Sequence, residues 1–280
     1  MKIPPFRLTT WRVIKTKPAN GAWNMAVDEA ILGSIQSGKS KPALRMFAWY
    51  PPCLSLGYAQ PFSDIDLDRL STMGWDAVRR ITGGRAILHT DELTYSVIGP
   101  DNEPRLQGGV LESYRCLSAA LLSALRMMGL PAQVVPKPST SDQNKQDHQP
   151  VCFETPSNYE ITFSGRKLIG SAQARKKSTV LQHGTIPLYG DITRIIDVLK
   201  FPDNDSRQNA KNKLLLRATT VETELKKRIS WEQSASVLIQ AFSKTLNISF
   251  EDSGLTQAEL DQTEFLVKEK YAHPSWTARI

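Results

Sequence analysis

Strand-like runs crowd the middle of this 280-residue chain and helical patterns occupy both ends. That order predicts an α+β fold rather than a regular βαβ alternation. The chain also lacks internal repeats, which leaves solenoid and propeller architectures without support.

The elements follow from spacing. Trp23, Val27, Ala30, Ile31 and Ile35 recur at helical intervals, which predicts an amphipathic helix over about 21–36. Short β-rich runs follow at Ala43–Trp49, Cys53–Gly57 and Leu93–Ile98, with an arginine–glycine segment between the last two. Val110, Tyr114, Leu117, Leu121 and Leu125 mark a second helix, closed by Gly129. Cys116 lies beside that stripe and reads as a small core residue. Residues 136–150 are polar, proline-containing and aperiodic, so an exposed, mobile loop is expected there. Strands resume from Asn158 to Pro187. The final third, from about 191 to 280, is expected to be helical, with capping boxes at Ser230/Gln233 and Thr256/Glu259. Ala235, Leu238, Ile239, Phe242 and Leu246 give the first of those helices its apolar face.

Composition narrows the function class. No apolar run approaches the roughly 18 residues that span a bilayer, so no membrane association is expected. Met1–Arg7 has no apolar core or small-residue cleavage site, so no secretory signal is expected. Cys53, Cys116 and Cys152 are odd in number and lack metal-like spacing, which fits free thiols in a reducing cytoplasm and no metal centre. The net charge of +7 is spread over small clusters such as Arg175–Lys177 and Lys226–Arg228. Nucleic-acid recognition fingerprints are absent, so solvated faces or an acidic protein partner fit better than nucleic acid.

The most informative stretch is Arg79–His89, RRITGGRAILH. Paired glycines tolerate positive φ and let a ligand approach the main chain, and flanking arginines offer fixed charge. A two-glycine hairpin with its arginines in water is the plainer reading. A second segment runs from Val151 to Gln173. Tyr159, Ile161 and Phe163 alternate with polar residues, and Ser164-Gly165 makes a two-residue turn into a returning strand. In that register Thr162 faces Lys167, with Glu160 and Ile169 on the same side and Leu168 on the core side with Tyr159, Ile161 and Phe163. Lys167 reads either as a surface lysine near Glu160 or as the lining of a pocket. Cys152, at a loop-to-strand junction near basic residues, reads either as an inert buried thiol or as a reactive thiolate.

Three ordered motifs now carry a resemblance. RRITGGRAILH followed by ELTYS (92–96) resembles the signature of the lipoate–protein ligase, octanoyltransferase and biotin ligase superfamily. NMAVDEAIL (24–32) resembles its first helix, and GRKLIGSAQARKKSTVLQHGTIPL (165–188) resembles its lysine-centred second signature. The similarity runs from about Trp11 to Leu188, with a weaker echo from Glu269-Lys270-Tyr271 to Trp276. One departure is Thr90, where relatives commonly carry an acidic residue. ATP-dependent ligases of this superfamily usually have three consecutive glycines, whereas the third position here is Arg85. Cys152-Phe153-Glu154-Thr155-Pro156 is similar to the cysteine context of the octanoyltransferases.

The resemblance implies a mixed β-sheet core flanked by helices, like the catalytic domain of biotin ligases and class II synthetases, in a single domain over 1–280. It implies an octanoyl group taken from acyl carrier protein by Cys152 and passed to a lysine of a lipoyl domain or glycine-cleavage H protein. Lys167 would bind the acyl carbonyl or the developing oxyanion. Arg80, Thr82, Gly83, Gly84, Arg85 and His89, with Gly170, Ser171 and Ala172, would form the acyl site. No cofactor is expected, and a monomer is expected. ATP-dependent lipoate ligation and a non-catalytic basic binding module are the alternatives.

Overall fold

A computed structural model describes residues 6–136 and 159–280. Its strands are β1 Thr9–Lys15, β2 Ala43–Phe47, β3 Cys53–Leu56, β4 Asp76–Arg79, β5 Ile87–His89, β6 Glu92–Pro100, β7 Gln133–Pro136, β8 Tyr159–Phe163, β9 Arg166–Lys176, β10 Thr179–Pro187 and β11 Ile248–Asp252. Its helices are α1 Gly21–Gln36, α2 Leu67–Thr72, α3 Val110–Met127, α4 Arg194–Asp197, α5 Asn204–Arg217, α6 Val221–Leu225, α7 Trp231–Leu246 and α8 Gln257–Leu266. Short α9, Pro274–Thr277, follows a helical turn at Val267–Tyr271.

An eight-stranded mixed sheet runs β11-β1-β2-β6-β10-β9-β8-β7, and a three-stranded sheet runs β4-β3-β5. The α+β expectation and the mixed sheet flanked by helices are therefore both met. On one face of the large sheet α3 and α7 bury Leu117, Leu121, Leu125, Leu238 and Phe242 against Trp11, Leu44 and Val97. At about 1.5–3 kcal/mol for each large apolar side chain fully buried, this layer is the main source of cohesion. On the other face Val27 and Ile31 of α1 pack on Ile14, Ala43 and Leu181. Further along, Met25 and Ala26 join Phe47 and Trp49 to Cys53 and Val78 of the small sheet. The site forms where these two sheets and α1 meet.

Local signals explain the boundaries. Asn20 caps α1, its side chain accepting from the Trp23 N–H at 2.9 Å. Gly129, at φ +96°, ends α3, and Leu130 N–H returns to Leu125 O at 2.8 Å. Both expected capping boxes form, at Ser230/Gln233 and Thr256/Glu259. Glu259 serves twice, since both its oxygens also hold the buried Arg12 guanidinium at 2.6 and 2.9 Å. The helical final third contains a strand that spacing did not reveal: β11 lies parallel to β1, with Thr9 opposite Ile248. Its short alternation, with Ile248 buried and Ser249 exposed, is lost between two strong helix signals.

The hairpin follows the expected register for two residues and then departs from it. Thr162 does pair with Lys167, but Ile161 pairs with Ile169, so Leu168 is an extra residue on β9. This β-bulge turns both Leu168 and Ile169 into the core with Ile161. Ile169 is therefore on the core side, not beside Lys167 as strict alternation predicted. The bulge also resets the alternation, so Lys167 shares a face with Gly170 and Ala172. The expected loop at 136–150 lies, apart from Pro136, outside the described residues, as do Cys152 and its Phe-Glu-Thr-Pro context.

Candidate active site

Two buried hydrogen-bond chains frame a cleft between α1, β5 and the β6–β10–β9 face. The first begins on α1, where Asn24 and Asp28 lie one turn apart on the side facing β2. Arg45 on β2 donates to Asp28 Oδ1 at 2.7 Å and to Asn24 Oδ1 at 2.7 Å, locking helix to sheet. The other Asp28 oxygen accepts from Ser96 Oγ at 2.6 Å and faces His183 Nδ1 at 3.4 Å. His183 Nε2 is 2.6 Å from Thr82 Oγ. The network orders these protons, with His183 donating through Nδ1 and Thr82 donating to Nε2. Burial pushes the Asp28 carboxyl up, but Arg45, with His183 and Ser96, outweighs it and holds it below the ordinary carboxylate range. Burial pushes His183 down, with the Asp28 contacts opposing, and the net shift is downward.

The second chain anchors the glycine loop. Arg80 donates to Ser55 O and Ser55 Oγ, both at 2.6 Å, and to Gly83 O and Arg85 O at 3.2 and 3.0 Å. Because Ser55 Oγ accepts from Arg80, its proton points to His89 Nε2, 2.6 Å away. His89 Nδ1 donates to Glu92 Oε1 at 2.6 Å, and Thr94 donates to the same oxygen at 2.5 Å. Trp49 Nε1 donates to Thr94 at 2.8 Å, and its ring stacks on His89 at 4.0 Å. Arg80 is thus a clamp on the loop, and His89 is fixed on three sides.

Between the chains lies a cleft of about 360 Å³, counting its open mouth, lined by Met25, Trp49, Ile87 and Thr94 with Gly170–Ala172 along its edge. Apolar walls with a few fixed polar groups suit a small acyl ligand. Arg80 and His89 line the same cleft, and Thr82 reaches it through His183. Gly83, Gly84 and Arg85 do not line this cleft. They border a separate, more open groove with Tyr58 and Gln173–Arg175. Close approach fixes that loop: a Cβ on Gly57 would stand 1.9 Å from Gly84 O, and Gly84 holds φ +93°. Arg79 braces it from beneath, donating to Gly57 O at 2.9 Å, Gln60 O at 2.6 Å and Thr277 O at 2.8 Å.

Lys167 is buried, and its Nζ lies 3.1 Å from Glu160 Oε1. The surface-lysine reading therefore fails, while the pairing with Glu160 holds. The two described thiols sit apart from this chemistry. Cys53 is fully buried, and burial pushes its thiol well up; burial also pushes the half-buried Cys116 thiol up, to about 12. Sequence reasoning missed Ser55, Glu92, Asp28, Arg45 and His183. One signal for them existed: Asn24 and Asp28 are polar residues one turn apart among the buried positions of α1.

Residues 20–243 of the chain match the lipoyl protein ligase A/B catalytic domain family. The chain belongs to that family. It is 40% identical to the octanoyltransferase LipM of Moorella thermoacetica over 272 residues, covering 96% of this chain and 98% of that one. It is 37% identical to the octanoyltransferase LipM of Staphylococcus aureus, covering 96% and 99%. Among solved structures it is similar to the bipartite lipoate protein ligase of Thermoplasma acidophilum, with TM-score 0.80, 25% identity and 96% of each chain covered. A lipoate-protein ligase A solved with ATP aligns with TM-score 0.78 and 25% identity, covering 96% and 99%. The solved structures it resembles are lipoate protein ligases, one of them bound with ATP, while the sequence relatives are octanoyltransferases, so the fold alone does not choose between the two reactions.

Proposed function

We propose that the protein is an octanoyltransferase of protein lipoylation, acting as one catalytic domain. The observation that carries this reading is near-full-length identity of 36–40% to octanoyltransferases, against 25% to the ATP-bound ligase. Arg85 in place of a third glycine points the same way. The donor is octanoyl-acyl carrier protein, and the acceptor is a lysine of a lipoyl domain or glycine-cleavage H protein. The enzyme works in the cytoplasm as a monomer.

The Cys152 thiolate attacks the donor thioester carbonyl, forms the enzyme thioester and expels the carrier thiolate, which takes up a proton. The neutral acceptor amine then attacks that thioester, forms the amide, and releases the Cys152 thiolate and a proton. Cysteine suits both halves because its thiolate is a good nucleophile and a good leaving group. No ATP is needed, since a thioester is already activated. The raised thiols of Cys53 and Cys116 support giving this role to Cys152. Lys167 supplies positive charge to the carbonyl oxygen as it becomes an oxyanion, a role that its burial supports. The cleft walls hold the acyl chain, with His89 and Arg80 fixing their shape.

The test supplies a lipoyl-domain acceptor with octanoyl-carrier protein without ATP, or with free lipoate plus ATP. Acylation by the first mixture alone is expected. Acylation by the second alone would make the protein a ligase. Retention on nucleic acid at physiological salt, with neither activity, would make it a basic binding module.

A further inference from the structure

A second groove follows the acyl cleft along the same two pieces of chain. Arg80 lines the cleft and Ile81 and Gly83 the groove; on β9, Gly170–Ala172 line the cleft and Gln173–Arg175 the groove. The groove holds about 950 Å³, counting its wide mouth. The Gly83 backbone is exposed, and no atom lies within 4 Å of where its Cβ would be.

The β9 edge along this groove is a ladder of hydrogen-bonding groups. Lys177 and Ser178, at φ +46° and +62°, join β9 to β10 in a two-residue hairpin, so Lys176 and Thr179 form the flanking hydrogen-bonded pair. Alternation then directs the backbone groups of Ala174 and Ala172 to β10. Those of Ser171, Gln173 and Arg175 point to the opposite edge. There β8 pairs no further than Ile169, and among the described residues no strand continues it. Ser171–Arg175 are all half-buried. Such an edge pairs with an extended chain that carries amides. The groove also holds Arg85, and the hairpin beside it ends in Lys176 and Lys177.

We propose that this groove receives the arm of the acyl donor. That arm is a long thiol chain with two amides and a terminal phosphodiester, as in phosphopantetheine. Its amides pair with the β9 edge at Ser171, Gln173 and Arg175, and its phosphodiester lies against Arg85, whose guanidinium suits phosphate geometry. Lengths agree. The arm has about thirteen bonds from sulfur to phosphorus, equivalent to roughly four to five residues of extended chain. Ser171 to Arg175 spans four steps of strand, about 13 Å. The acidic carrier behind the arm meets the basic hairpin tip. This inference rests on the octanoyl-transfer reading and names the donor's path through the same site.

The test compares octanoyl-carrier protein with octanoyl-N-acetylcysteamine, which keeps the thioester but has one amide and no phosphate. Arg85→Glu and Ala174→Phe are expected to lower the ratio of kcat/KM for the carrier donor to that for the short donor at least tenfold. Free phosphopantetheine is expected to compete with the carrier donor, and at least tenfold less well in Arg85→Glu. An unchanged ratio in both variants, with unchanged competition, would overturn the inference while leaving octanoyl transfer intact. A raised KM for the lipoyl-domain acceptor instead of the donor would assign the groove to the acceptor and overturn it as well. Transfer from neither donor by the unaltered protein would overturn the octanoyl-transfer reading, and this inference with it. Thermal melts of each variant separate these outcomes from loss of fold.

Discussion

The Lys167 ammonium lies 3.1 Å from the Glu160 carboxylate, on the β9 face that the Leu168 bulge also gives to Gly170 and Ala172. Lys167 is not among the residues that line the cleft, so its proposed action on a developing oxyanion needs a direct test. Lys167→Met is expected to lower single-turnover octanoyl transfer by about 10²–10³, the usual cost of losing such a donor. Glu160 keeps 19% exposure, so water can solvate the carboxylate left behind and the fold should survive. Far-UV circular dichroism checks that. Retention of a third or more of the transfer rate would remove Lys167 from the mechanism.

Gly57 and Gly83 should respond in opposite ways to the same change. A methyl group on Gly57 meets Gly84 O at 1.9 Å, so Gly57→Ala must push the glycine loop away from Arg80 and the cleft. A methyl group on Gly83 meets nothing within 4 Å. Gly57→Ala is expected to cost about 1–3 kcal/mol, a typical overpacking penalty, and most of the activity. Gly83→Ala should change stability by less than about 0.5 kcal/mol, as for an ordinary surface substitution. Chemical denaturation measures both, and equal costs would refute the close contact.

Acid should weaken the fold through His183 before it reaches Asp28. Burial lowers the His183 pKa below 6.5, so the unfolded chain binds more protons than the folded one just below that pH. Stability therefore falls as pH drops from 6.5 toward the lowered folded value. Asp28 has the same sign in a lower window. Its contribution is present above the unfolded value near 3.8 and is lost as pH falls through the lowered folded value. Melting temperature measured from about pH 7.5 to about pH 5 should drop in the unaltered protein and drop less in His183→Gln. Parallel profiles would show that His183 is not the titrating group.

Much of this was legible in the sequence, and the gaps have physical causes. Helix α1 was readable because Val27 and Ile31 repeat on one face, and the Ser164-Gly165 turn because both residues can take positive φ, here 49° and 78°. The bulge at Leu168 was not readable, since an apolar pair such as Leu168-Ile169 fits either register until the core takes both. The glycine motif announced a tight bend but not that its arginine faces inward. Arg80 spends its donors on Ser55 and the loop carbonyls, partners that only the tertiary fold supplies. The second chain was hidden for the same reason: Ser55, His89 and Glu92 come from three strands, and nothing local marks their meeting.

Transfer through a thioester on Cys152 is open to peptide mapping. The protein is incubated with octanoyl-carrier protein without ATP, digested and analysed by mass spectrometry, before and after addition of a lipoyl-domain acceptor. One octanoyl group is expected on the Cys152 peptide, removed by hydroxylamine, discharged when acceptor is added and absent from Cys152→Ala. An octanoyl group that persists in Cys152→Ala, or an acceptor acylated only when ATP and free acid are supplied, would contradict it.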